Sequence, residues 1–496
     1  MTSEESKRVK INYFFNLIYQ IFIVVAPLIT TPYLAKTLTE NGSGIFSYTS
    51  SYIAYFTLFA SMGFTLYGQR TIAADSNKPV ERSYDFWEIF LLRLVATLLS
   101  LCVFFALVFL NAFGEKYAPI LLIQSIDIIA VAFDITFVFQ GIQNFRIIAV
   151  RNFIIKAITI TLVFLFIKSE DDLWIYTLLS SSSTLFSALS LWPALKKFLM
   201  KIDIRKIHIA RHIKASFILF IPTIAGSIYT QLDKTLIGLI TAEDAENGNY
   251  HYAEKIVRMA TTVVTSFGQV MIPLNAQKFS EGKIDEVKEN CYKVTSFVWL
   301  LGIPLALGIC AVSNNLVPWF LSPRYTKAST LMKILSPIIV LVGLSEALGY
   351  QYLITTRRDG RYAICVTIGA LINLSLNIPF IMLWQSYGAA IASVIAEFSI
   401  LVAMYCFIHK EISLKRIFLP SWRYWVGGIV MFVPCYLLGN YFPPTWYYTL
   451  TIICIGVLIY LLVLICEKDP ILLKLIARLK EKSKRKGNKG EQNGKE

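Results

Sequence analysis

Fourteen apolar stretches follow one another along the chain, at about 11–35, 44–67, 87–111, 119–140, 152–168, 174–195, 215–241, 251–276, 292–313, 329–354, 362–384, 388–408, 422–440 and 447–466. Each is close to the roughly 20 residues an α-helix needs to cross a bilayer about 30 Å thick. Only closed barrels and helices satisfy their backbone groups in lipid, and runs this long without alternation specify helices. The expected fold is an all-α polytopic membrane protein of about 14 transmembrane helices. Only 16% of the 496 residues are charged, against about 25% in a soluble chain, and 56% are hydrophobic. Little length remains for a soluble domain.

The net charge of +15 is read by side of the membrane before any partner is considered. With a cytoplasmic N-terminus, about 35 of the Lys and Arg residues fall inside, about 5 outside and about 7 within spans. This asymmetry predicts a multi-pass membrane protein with both termini cytoplasmic. The stretch 196–214 carries seven basic residues and the tail 467–496 carries ten. Both fit positive-inside topology with anionic-lipid contact, so no nucleic acid is expected as a partner. The outer turns are short and acidic, as in Ser169-Glu170-Asp171-Asp172 and Glu243-Asp244-Ala245-Glu246, with no room for a folded catalytic loop.

Soluble-type chemistry is equally absent from the sequence. No Gly-rich phosphate loop ends in Lys and Ser/Thr, and no nucleophile elbow occurs, so ATP hydrolysis and acyl transfer are not expected. The eight cysteines show no C-x-x-C spacing and read as packing residues. His208 and His212 lie at i, i+4 in the basic linker, yet no metal-ligand cluster is built around them in sequence. Neither a metal nor a cofactor is expected, and the protein reads as a transporter rather than an enzyme. The first apolar stretch is full-length and lacks a small-residue cleavage site, which predicts a retained helix.

The linker divides the chain into six spans and six, with two appended. We expect an N-terminal six-helix lobe at 1–195, a basic cytoplasmic linker at 196–214 and a C-terminal six-helix lobe at 215–408. Two further helices at 409–466 and a disordered basic tail at 467–496 complete the chain. Six is even, so the two lobes enter the membrane from the same side, as parallel repeats do, and substrate belongs in a central cavity between them.

Ionisable residues inside spans are costly in hydrocarbon and are expected to face a cavity or one another. They include Arg93, Asp127, Asp134, Lys156, Asp233, Lys234, Glu254, Arg258, Lys333, Glu346 and Glu397. Asp127 and Asp134 are seven apart, which places them on one face of a continuous helix. Arg93, Lys156 and Lys333 are near enough to span ends to snorkel, and Glu254 and Arg258 are spaced to pair. Polar amides recur at i, i+4, as Asn16 with Gln20 and Asn373 with Asn377, fitting either interhelical hydrogen bonds or a glycan-lined path.

Three segments near the N-terminus carry a resemblance. They are Thr31-Pro32-Tyr33-Leu34-Ala35-Lys36-Thr37-Leu38, Gly42-Ser43-Gly44-Ile45-Phe46-Ser47-Tyr48, and Met62-Gly63-Phe64-Thr65-Leu66-Tyr67-Gly68-Gln69-Arg70-Thr71-Ile72-Ala73. With Ile228-Tyr229-Thr230-Gln231-Leu232-Asp233-Lys234-Thr235-Leu236-Ile237-Gly238, Tyr252-Ala253-Glu254-Lys255-Ile256 and Met271-Ile272-Pro273-Leu274, they make the chain resemble Wzx-type oligosaccharide flippases from about residue 8 to 465. It departs from the usual pattern at Leu38-Thr39-Glu40-Asn41-Gly42, where Leu-Gly-Pro-Glu-Gly is common, and at Lys36, where Arg is frequent.

The resemblance implies membership of the multidrug/oligosaccharidyl-lipid/polysaccharide exporter superfamily and alternating access between two six-helix lobes. It implies translocation of undecaprenyl-diphosphate-linked oligosaccharide repeat units to the outer leaflet for capsule, exopolysaccharide or O-antigen synthesis. A polysaccharide polymerase and chain-length machinery would be partners, and H+ or Na+ the coupling ion. A diphosphate calls for cavity cations, for which Lys234, Arg258, Arg93 and Lys156 are the candidates. Gln20, Gln231, Tyr229, Asn373 and Asn377 are candidate glycan contacts, and Asp127, Asp134, Asp233 and Glu397 candidate coupling-ion residues. The alternatives are a cation-coupled multidrug or metabolite antiporter and a lipid II flippase of the same superfamily.

Overall fold

The computed structural model describes residues 3–473; the side chains of 3–24, 204, 221–223, 225, 228 and 229 lie outside that description, as does the tail from 474. The expected disorder of the tail and the side-chain roles of Asn16, Gln20 and Tyr229 therefore fall outside the described residues. The chain is all-α, and each of the fourteen apolar stretches lies in helix. Seven of the helices among the described residues are long and apolar enough to cross a membrane by themselves, including Pro79–Phe109, Ile284–Phe320 and Trp446–Cys466. It is a multi-pass membrane protein.

Several breaks are finer than hydropathy resolves. The helix Ser3–Ser61 carries the first stretch and most of the second, and is interrupted at Thr39, whose φ of 59° and ψ of 178° are ordinarily open only to glycine. Thr39 is the position where the resembling family commonly has Gly. The fourth stretch splits into Ala118–Phe133 and Thr136–Gly141, with Asp134 in an extended conformation between them. Asp127 and Asp134 consequently do not share one helix face, contrary to the seven-residue spacing. The tenth stretch begins as Ala328–Leu335, resumes as Ile338–Leu348 after Pro337, and finishes in a π-helical turn, Gly349–Ile354.

By contacts the chain forms two units, the first made of 1–252, 324–327 and 366–393, the second of 253–323, 328–365 and 394–496. In the first, Phe86, Ile89, Phe137, Val138 and Leu195 form a buried core, and Phe104, Leu121 and Ile128 form a second cluster with Ile53. Helices Ser3–Ser61 and Asp244–Ser280 cross in backbone contact. A Cβ on Gly44 would overlap the Asp244 carbonyl, and one on Gly248 would overlap the Glu40 carbonyl. Small residues permit such close approach where no apolar driving force between helices exists in lipid.

In the second unit the last two helices, Ser421–Tyr441 and Trp446–Cys466, pack on Ile284–Phe320. Tyr460 donates to the Leu300 carbonyl at 2.8 Å, Trp319 to Thr449 at 2.8 Å, and Asn315 to the Phe442 carbonyl at 3.1 Å. Gln351, on the π-helical turn, donates to the Gly268 carbonyl at 2.7 Å and accepts from Asn275 at 2.8 Å. Asn275 in turn accepts from Asn290 at 2.8 Å. This buried amide chain orders three helices, because each polar group left unmet in so dry a place would be costly.

Candidate functional site

Asp233 stands about two turns before the C-terminal end of helix Ala210–Thr241 and is only 6% exposed. Its Oδ1 accepts from Asn377 Nδ2 at 2.8 Å and from Asn373 Nδ2 at 3.3 Å. Its Oδ2 accepts from the hydroxyls of Tyr250 and Ser393. These donors come from three other helices, Asp244–Ser280, Asp359–Trp384 and Ser386–Ile408. All five residues belong to the first unit, and both asparagines are fully buried. The i, i+4 spacing of Asn373 and Asn377 stacks both amides on one helix face. One carboxylate can therefore use both.

These four partners are neutral side chains that donate hydrogen bonds to the carboxylate. The Oδ1 atoms of Asn373 and Asn377 are buried with no hydrogen-bond partner among the described residues. Turning either amide about its Cβ–Cγ axis would bring its oxygen toward the carboxylate, since amide N and O are interchangeable in shape. With both turned, carboxylate, two amide oxygens and two hydroxyls form an all-oxygen cluster suited to a hard cation. With the present orientation the same group holds a bare carboxylate or shares a proton.

The other sequence candidates lie in different settings. Asp127 accepts from Ser181 at 2.6 Å, a contact between helices Ala118–Phe133 and Leu173–Leu189. The Asp134 carboxylate caps its own break by accepting from the Thr136 backbone at 3.0 Å and from the Thr136 hydroxyl. Arg93, 2% exposed, donates to the Asp134 carbonyl and to Thr65 at 2.5 Å. The guanidinium is thus engaged by the helix break. Lys156 is exposed on Phe145–Phe166. The Lys234 carbonyl accepts from Asn247 at 2.9 Å, and Gln231 is half-buried on the same helix. In the second unit, Arg258 pairs with Glu254 at 2.6 Å, as the i, i+4 spacing implies, and Glu397 is buried.

A second polar cluster went unread in the sequence. Asp85 and Glu88, at the start of helix Pro79–Phe109, are buried with His212, within reach of one shared ion. Arg211 already hydrogen-bonds both carboxylates, at 2.7 and 2.6 Å, and His212 bridges Glu88 and the Tyr67 hydroxyl at 2.7 Å each. The cluster ties the end of the basic linker to two helices. Asp85 and Glu88 at i, i+3 were the available signal, but their partners lie some 125 residues away.

Residues 9–279, more than half the chain, match the family described as Polysaccharide biosynthesis protein. The chain belongs to that family. A candidate O-antigen transporter of Escherichia coli (strain K12) is 22% identical to this polysaccharide biosynthesis protein over 387 residues, covering 78% of this chain and 93% of the relative. Among solved structures, the lipid II flippase MurJ in an inward closed conformation aligns with a TM-score of 0.72 at 18% identity, covering 92% of this chain and all of that one. An inward-facing multidrug resistance MATE transporter of the MOP superfamily aligns at 0.57 and 11% identity, over 81% of this chain and 98% of its own. The family member thus has the fold shared by MurJ and the MATE transporters. That fold is the one expected from the sequence motifs.

Proposed function

We propose that this protein is a flippase that moves undecaprenyl-diphosphate-linked oligosaccharide repeat units from the cytoplasmic to the outer leaflet for surface polysaccharide synthesis. Alternating access is coupled to a cation, H+ or Na+, taken up at Asp233. Both termini face the cytoplasm, and 1–195 and 215–408 act as the two lobes. Supporting the substrate are family membership, the O-antigen transporter relative and the absence of any phosphate-loop motif for ATP. The coupling step rests on one observation, the buried Asp233 carboxylate ringed by Tyr250, Asn373, Asn377 and Ser393. A buried intramembrane carboxylate ringed by amide and hydroxyl groups is a natural place for a transported cation to bind and leave.

This assignment moves Asn373 and Asn377 from glycan contact to the ion site. Lys234 and Arg258 remain the cations for the diphosphate, Gln20, Gln231 and Tyr229 the glycan contacts, and Asp127 a second candidate coupling-ion residue. Arg93 and Asp134 serve the fold. The test is lipid analysis of a strain lacking the protein, with repeat-unit synthesis intact. Lipid-linked repeat units should accumulate and surface polysaccharide should vanish. Normal polysaccharide together with altered sensitivity to cationic compounds would instead establish the drug antiporter.

A further inference from the structure

A polar recess of about 660 Å³ opens in the second unit, between the start of helix Ile284–Phe320 and the segment joining Ser386–Ile408 to Ser421–Tyr441. Its lining is highly charged: Asp285, Lys288, Glu289, Lys410, Glu411, Lys415 and Arg416 all contribute. Each carboxylate has its own cation. Asp285 pairs with Lys288 at 3.1 Å, Glu289 with Arg416 at 2.8 Å, and Glu411 with Arg358 at 2.5 Å. Lys410 and Lys415 remain without an ion-pair partner among the described residues, leaving two positive charges in the lining of one recess.

The walls are tied together by specific contacts. Arg416 stacks on the Tyr292 ring at 4.1 Å, Tyr292 accepts from the Ser413 backbone at 2.8 Å, and Trp299 donates to the Ile417 carbonyl at 3.0 Å. Ile412 and Ile417 are buried beneath. The chain that continues from the recess has the opposite character: Leu414 in its lining, and Phe418, Leu419 and Trp422 just beyond it in sequence, are all exposed, Leu419 to 60%. Exposed apolar and Trp side chains beside lysines mark the level where hydrocarbon gives way to headgroups.

From this we infer a specific binding site for the phosphate headgroup of an anionic phospholipid, with Lys410 and Lys415 contacting the phosphate and the acyl chains leaving over Leu414, Phe418 and Leu419. A basic recess between helix ends at the membrane surface is suited to a multiply charged headgroup. The turns involved precede span nine and follow span twelve, the side on which the 196–214 linker falls. Flipping is not required for this site, so its test is independent of the proposed transport.

The experiment uses full-length protein in a non-ionic detergent, with retained lipid read by native mass spectrometry and thermal unfolding followed on titration. The probes are cardiolipin, phosphatidylcholine and soluble glycerol phosphate. Cardiolipin should be retained and should raise the melting temperature, with affinity falling roughly 30-fold in Lys410→Gln/Lys415→Gln. A Lys196→Gln/Lys197→Gln control should keep it. An equal response to phosphatidylcholine, an unchanged affinity in the double variant, or an equal loss in the control would overturn the site. Saturation by glycerol phosphate would assign the recess to a soluble anion and overturn the lipid.

Discussion

Asp233→Asn tests the coupling site most directly, because it preserves shape while removing the carboxylate charge. At about 4 Å and an effective dielectric constant near 20, a carboxylate and a monovalent cation attract by about 4 kcal/mol. Losing that attraction lowers cation affinity by roughly a thousandfold. Ser393→Ala removes a neutral ligand only, about 1 kcal/mol, or some fivefold. The assay is thermal unfolding of purified protein across Na+ concentration at fixed pH, and across pH without Na+. A cation present at about 100 times its dissociation constant stabilises by about 2.7 kcal/mol. The wild type should show that rise with one of the two ions, the Ser393 variant should show it shifted to higher concentration, and Asp233→Asn should show none. In cells Asp233→Asn should insert normally and make little surface polysaccharide. Full export together with undiminished ion-dependent stabilisation would refute the reasoning.

Other consequences are testable on the same material. Lys234→Ala and Arg258→Ala should each reduce export with insertion unchanged, measured as surface polysaccharide per folded protein; full activity in both would remove the diphosphate role. Arg93→Met leaves the buried Asp134 carbonyl without its donor and should cost about 1–3 kcal/mol of stability, read as a lower melting temperature. Thr39→Ala keeps the unfavourable backbone and loses the 2.6 Å hydrogen bond to Glu170, whereas Thr39→Gly relieves the strain as it loses the bond; the Gly variant should therefore melt higher than the Ala variant by about 1–3 kcal/mol. Arg358, forked on Glu411, holds that carboxyl below its ordinary value. Its contribution is complete above the ordinary value near ~4.3 and fades as pH falls through the lowered one, so Arg358→Gln should flatten the acid limb of melting temperature against pH, by about 1 kcal/mol for this partly exposed pair.

The helical architecture was legible because its signal is long and redundant: a stretch of 20 apolar residues survives a charge or a proline within it. Local breaks carry no such redundancy. Nothing in Ile126-Asp127-Ile128-Ile129-Ala130-Val131-Ala132-Phe133-Asp134 marks the helix end after Phe133, since it follows from what the Asp134 carbonyl and carboxylate meet in space. Asp233 could be singled out because burying a charge is expensive wherever it lands. The pairing of Asn373 with Asn377 was visible as a spacing, but not their partner, 140 residues distant. Tyr250 and Ser393 gave no signal, one a tyrosine in an aromatic-rich chain and the other a serine among alanines.

How an ion at Asp233 could drive a conformational cycle follows from where its ligands are rooted. The carboxylate and its four partners stand on four separate helices, so the oxygen cluster is complete only while those helices keep one mutual arrangement. A cation that needs the complete cluster binds that arrangement more tightly, and by linkage stabilises it by the same differential free energy. A ligand can shift a conformational equilibrium only through such a difference. Substitutions that loosen the arrangement without touching the charge, such as Asn377→Ala, should therefore weaken ion affinity and coupling together. A variant that lost coupling at full ion affinity would separate the binding step from the motion and place the transducing contact outside these four helices.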